Sequence, residues 1–216
     1  MKTRLILTIV FVISILATQR TFAQETENEF QTRTKLDMSF KPVKKVKFTI
    51  TPELRFEDDF SLDKYLLEGI LEYKASKLFT LGASYGLVGN VRDEKDTEYF
   101  SRYAFSATAQ KEFGRFESSL RLMYSNYADD DVDDKNFLRY RAKVKYDIPD
   151  CKITPFVAVQ LFQDLDNGGL HKTRYSVGAD YKLFKKNYIG IDYKFDYYNT
   201  EYLNKHIISL GYKIKF

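Results

Sequence analysis

The chain has 216 residues, with 34 Lys and Arg against 30 Asp and Glu, a net charge of +4 and a mean hydropathy of −0.41. That size fits one domain once a leader is set aside, and the low hydropathy with no second long apolar run excludes a helical membrane protein. The single cysteine, Cys151, excludes an intrachain disulfide framework, and cations that alternate along segments or sit in turns, without forming one patch, argue against nucleic acid as a partner.

Residues 1–23 read as a secretory signal peptide. Lys2 and Arg4 form a basic start, Leu5 to Ala17 an apolar run, and Thr21-Phe22-Ala23 a small-residue cleavage site before Gln24. The apolar run falls short of the roughly 20 residues that span a bilayer as a helix. Residues 24–44 are an N-terminal segment or an extra strand, since Phe30 to Phe40 alternates apolar with polar.

From residue 45 onward the same period-2 pattern recurs. Val46, Phe48, Ile50, Leu54 and Phe56 alternate with Lys47, Thr49, Thr51, Glu53 and Arg55. Weaker versions run over residues 64–74, 79–88, 98–111 and 116–127. A clear one pairs Leu138, Tyr140, Ala142, Val144 and Tyr146 with Arg139, Arg141, Lys143 and Lys145. Residues 153–163, 174–183 and 188–197 follow, and the last segment places Ile208, Leu210, Tyr212, Ile214 and Phe216 on one face. Each segment matches the roughly 9–11 tilted residues with which a barrel strand crosses a bilayer, and such strands keep average hydropathy low. Pro52 and Pro155 fall inside predicted strands and should mark bulges or irregular pairing.

The connections alternate between two classes. Short basic ones include Lys41-Pro42-Val43-Lys44-Lys45, Ala75-Ser76-Lys77, Glu112-Phe113-Gly114-Arg115 and Lys185-Lys186-Asn187; longer, mostly acidic ones include Ala128 to Asn136 and Asp164 to Lys172. Short turns at one rim and longer loops at the other match outer-membrane barrels. High Tyr and Phe content with no Trp suits strands and membrane interfaces. The expected fold is an all-β, transmembrane, antiparallel up-and-down barrel over residues 45–216, of about ten strands, with twelve as the alternative, because bacterial single-chain barrels have even counts. With ten strands, both ends of the barrel lie at the short-turn rim.

The opposite phase is rich in charge. Glu53, Arg55, Glu57, Glu68, Glu72, Arg102, Arg121, Arg139, Arg141, Asp180 and Asp192 are the expected lumen-lining residues, with Asp196 beside them. They form either a structural ion-pair network that fills the lumen or a narrow polar conduit, since buried charge needs a partner. No catalytic constellation is visible: His171 falls in a predicted loop, His206 in the outward phase, and neither has a partnered nucleophile. The run Ala128 to Asp134 makes Asp129, Asp131 and Asp133 weak metal candidates, but it lacks the ligand order and turn glycine of a calcium loop. A structural or transport-related role is expected, with no enzyme activity and no cofactor; the alternatives are an outer-membrane enzyme acting on lipid or peptide and a secreted soluble β-protein that binds a ligand within its barrel.

With Pro52-Glu53-Leu54-Arg55-Phe56-Glu57 after the first basic turn, Pro155-Phe156-Val157-Ala158-Val159-Gln160-Leu161-Phe162, and a last strand ending in Phe216, the mature chain resembles a family of small Bacteroidota outer-membrane β-barrels of unknown function. A tryptophan expected near the start of such families is absent. The resemblance implies the bacterial outer membrane as location and outer-membrane lipid, lipopolysaccharide and the barrel-assembly machinery as partners. A small polar solute is a further candidate. It carries over no catalytic residue.

Overall fold

The computed structural model describes residues 27–92, 95–128, 135–199 and 203–216; the signal peptide reading and the acidic candidates Asp129, Asp131 and Asp133 lie outside them. Eleven strands form one closed barrel: β1 (Glu27–Val43), β2 (Val46–Phe56), β3 (Leu62–Lys74), β4 (Phe79–Arg92), β5 (Lys95–Phe113), β6 (Phe116–Ser125), β7 (Phe137–Tyr146), β8 (Ile153–Asp164), β9 (Leu170–Phe184), β10 (Asn187–Tyr198) and β11 (Leu203–Lys215). Neighbours in sequence pair antiparallel, and β1 closes the ring against β11 in parallel, with Glu27 opposite Leu203 and Ser39 opposite Lys215.

The count lies between the expected ten and twelve, and the eleventh strand is the alternating segment Phe30 to Phe40. An odd number of alternating strands forces one neighbouring pair to run parallel. One expectation is thereby corrected: β1 starts at the rim of the longer loops, while β11 ends at the short-turn rim. The seam is held by more than its ladder. Phe30 stacks on His206 with ring centroids 4.8 Å apart, Phe40 stacks on Phe216 at 4.6 Å, and the Phe216 amide donates to the Ser39 carbonyl at 2.9 Å.

Pro52 and Pro155 cause no register shift. Pro52 faces Leu67 in β3 in register and is absent from the β1–β2 pairs, while Pro155 faces Ala179 and lies beyond the last β7–β8 pair, Lys145 with Phe156. Each proline sits where one of its two ladders has lapsed, so the missing N–H needs no bulge.

Alternation fixes which side chains go where. In β11, Ile207 and Ser209 point inward and are buried, while Ile208 and Leu210 point outward and are exposed. The same split holds in β2, where Thr49, Thr51 and Arg55 are buried and Phe48 and Leu54 exposed. The barrel thus buries polar and charged groups inside and turns its large apolar residues outward.

Candidate functional site

Toward the long-loop rim the described residues fill the lumen with buried side chains. Asp196 and Arg174 are direct cross-strand partners, as are Tyr198 and Lys172. Register therefore brings the Arg174 guanidinium onto the Asp196 carboxylate: Nε donates to Oδ1 at 2.5 Å and Nη2 to Oδ2 at 2.6 Å. Lys172 Nζ reaches Asp196 Oδ2 at 3.2 Å and donates to the Tyr198 hydroxyl at 3.0 Å. Asp196 and Lys172 are fully buried. A charge pair is tolerable there because the fork is bidentate and Lys172 adds a second cation to the carboxylate.

Aromatic rings complete this layer. Phe162 is fully buried with Arg139 over its face at 4.6 Å and Lys172 at 5.1 Å, and Arg102 lies over Tyr127 at 4.6 Å. Each ring face offers a cation the negative side of its quadrupole. Phe162 also packs in a buried cluster with Ala128 and Phe137. With its amide correctly oriented, Gln160 accepts from Arg139 Nε at 2.8 Å and Nη2 at 3.0 Å. Arg102 Nη2 donates to Glu68 at 3.1 Å, and Arg55 Nε to Glu53 at 2.7 Å.

Most expected lumen residues are thus brought together. Glu53, Arg55, Glu68, Arg102 and Arg139 stand in or beside the closed layer. Glu72 lies lower, paired with Lys47 at 2.5 Å. Asp180 accepts from Lys213 Nζ at 2.7 Å across Gly190, where an added Cβ would stand 2.7 Å from the carboxylate oxygen, so glycine leaves the slot this ion pair occupies. Asp192 meets Lys194 at 3.0 Å. Glu57 follows β2 and is exposed in the turn, where its amide donates to the Ser61 carbonyl at 3.0 Å; it belongs to the rim. His171, expected in a loop, is the second residue of β9 and packs between Phe137 and Tyr198. His206 faces outward as expected, with its Nδ1 2.6 Å from the Tyr193 hydroxyl.

Arg121 and Arg141 behave differently. They are direct cross-strand partners, a like-charge juxtaposition that costs stability. Arg121 Nε donates to Thr108 at 3.2 Å, and no carboxylate among the described residues forms an ion pair with either guanidinium. They belong to one inward-facing register row that crosses ten strands: Glu29, Lys205, Asp196, Arg174, Gln160, Arg141, Arg121, Thr108, Thr80 and Lys74. Strands tilt in a barrel, so a row perpendicular to them descends the wall. This one passes through the closed layer to the short-turn rim, and from Arg174 to Lys74 it carries no carboxylate.

Sequence reasoning missed the inward aromatics Phe137, Phe156, Phe162 and Tyr198. In β8 the run Phe156 to Phe162 is apolar on both phases but for Gln160, so alternation carries no sign there. The available signal was that such a run implies burial on both faces.

A family model described as a protein of unknown function, DUF2490, matches residues 28–205, from the start of β1 into β11. The chain belongs to this family. In this DUF2490 member the matched stretch includes every residue of the closed layer and the whole register row. No curated protein matches the chain. Among the described residues, no three His, Cys, Asp or Glu side chains converge as a metal site.

Proposed function

We propose that this DUF2490 barrel is an integral outer-membrane protein with a structural role, its lumen sealed at the outer rim by the Arg174–Asp196–Lys172 layer. The observation that carries the reading is the inside-out distribution of polarity. Leu67, Leu87, Phe105, Leu120, Val157, Ile191 and Leu210, on seven of the strands, are each about half exposed or more, while Arg55, Lys172 and Asp196 are buried within. Soluble monomers rarely expose contiguous apolar surface beyond a few hundred Å². A lipid-facing barrel needs such a belt, with aromatic residues at its margins. Tyr65 and Tyr99 near the long-loop rim, joined hydroxyl to hydroxyl at 2.9 Å, and Phe79, Phe113 and Phe184 near the short-turn rim fit those margins.

On this reading the loop rim faces the exterior, the short turns face the periplasm, and the partners are membrane lipid, lipopolysaccharide and the assembly machinery that receives the terminal strand. No reaction is assigned, because the carboxylates of Asp196 and Glu68 are engaged by cations. The second reading is a narrow conduit for small polar solutes, favoured by the largely cationic row from Arg174 to Lys74. Membrane insertion is tested by fractionation and heat-modifiable gel mobility; full solubility without detergent sinks it. Planar-bilayer recording then separates the two readings: a sealed barrel gives no discrete conductance steps, and reproducible steps overturn the seal.

A further inference from the structure

The short-turn rim differs from the closed rim. Three neighbouring hairpins, β1–β2, β3–β4 and β5–β6, surround a cavity of about 780 Å³ lined by seven lysines and two glutamates. Its wall is continuous: the Lys74 amide donates to the Lys45 carbonyl at 2.8 Å, and the Gln110 amide to the Leu78 carbonyl at 2.8 Å. Lys45 holds a left-handed backbone at φ 72°, where a non-glycine residue is uncommon, so the tight turn that presents it is maintained at some conformational cost. Lys47 is neutralised by Glu72. Lys41, Lys44, Lys45, Lys74 and Lys77 form no ion pair with any carboxylate among the described residues.

We propose that this vestibule binds a compact anion carrying two or more phosphate groups, entering from the short-turn side. The volume lies within the roughly 300–1,000 Å³ range of small-molecule sites. Lysine presents a compact point charge suited to phosphate oxygens. A second observation points the same way: the cation excess does not stop at the rim but continues up the register row to the juxtaposed Arg121 and Arg141, neither of which forms an ion pair with a carboxylate among the described residues. An anion in the vestibule lowers the repulsion along that row. The inference rests on the lumen's geometry and holds whether or not the barrel conducts.

The test is calorimetric titration of tripolyphosphate into the refolded full chain in zwitterionic detergent. Saturable one-to-one binding that weakens with salt is expected. Each lysine near an anion contributes about a fivefold gain in affinity, so Lys41→Gln with Lys74→Gln and Lys77→Gln should weaken binding roughly a hundredfold. The matched variant Lys182→Gln with Lys185→Gln and Lys186→Gln, on the β9–β10 hairpin, should bind as wild type does. Heat-modifiable mobility confirms that both variants fold. Equal losses in the two variants, or no saturable binding at millimolar tripolyphosphate, overturn the proposal. In nanodiscs, loss of binding in phosphatidylglycerol relative to phosphatidylcholine assigns the site to a lipid headgroup, and unchanged binding assigns it to a soluble anion; either outcome supports phosphate recognition.

Discussion

Replacing Asp196 by Asn tests whether the lumen is dry at its closed end. The substitution keeps shape and removes the one carboxylate that neutralises two cations. Arg174 donates to it at 2.5 and 2.6 Å, and Lys172 lies 3.2 Å away. Exposure is 0% for Asp196 and Lys172 and 7% for Arg174, so solvent screening calls for little discount. Charge-assisted hydrogen bonds contribute about 1.5–3 kcal/mol each, and breaking a buried pair from one side costs about 3–5 kcal/mol. Asp196→Asn should therefore lose about 3–5 kcal/mol in urea unfolding of the refolded barrel, followed by circular dichroism and tyrosine fluorescence, since the chain has no tryptophan. Replacing the group together, Asp196→Leu with Arg174→Met and Lys172→Met, should be neutral or stabilising, because it removes the desolvation penalty along with the attraction. A loss below about 1 kcal/mol for Asp196→Asn is the value of a water-screened pair and refutes the sealed lumen.

Two further outcomes follow from the wall. Leu210, half-way along β11 and facing outward, should cost about 2–4 kcal/mol when changed to Arg in lipid vesicles; an effect below roughly 0.5 kcal/mol there removes the lipid-facing assignment of that phase. Gly178→Ala places a Cβ 2.6 Å from both the Asp192 Cβ and the Ile191 carbonyl and 2.8 Å from Phe156, so a loss of about 1–3 kcal/mol is expected by the same unfolding assay, and a change within roughly 0.5 kcal/mol means that β8, β9 and β10 are not packed as described.

Much of the fold was legible because strand residues with different surroundings on their two faces write that difference into the chain. Counting back from Phe216 gives the outward phase of β11, and Leu138 to Tyr146 gives that of β7. The eleventh strand was equally visible: Phe30, Thr32, Thr34, Leu36, Met38 and Phe40 share one face, Gln31, Arg33, Lys35, Asp37 and Ser39 the other. What concealed it was the parity rule, which assumes antiparallel closure, and a parallel seam leaves no local mark. The site was less legible. Charge identity predicted Glu68 and Arg102 as inward residues, but not that they would meet, which depends on register between strands 34 residues apart in sequence. Nor does period 2 reveal that Phe162 supplies a face to cations, because an inward aromatic in an apolar run reads the same as an outward one, or that Tyr127 does, because it lies past the end of β6.

The parallel seam also bears on how the ring comes to close. Every other strand pair joins sequence neighbours through a turn or loop, so its loop-closure entropy is small and its contacts are local. The β1–β11 ladder joins Glu27 to Leu203 and Ser39 to Lys215, the two ends of the described chain, and it can zip only after the intervening strands have laid down the whole circumference. It is also of the slanted kind that is slightly weaker per residue. In unassisted refolding this places the rate-limiting search, and the first site of opening, at a single clasp, with the Phe30–His206 and Phe40–Phe216 stacks as its two catches.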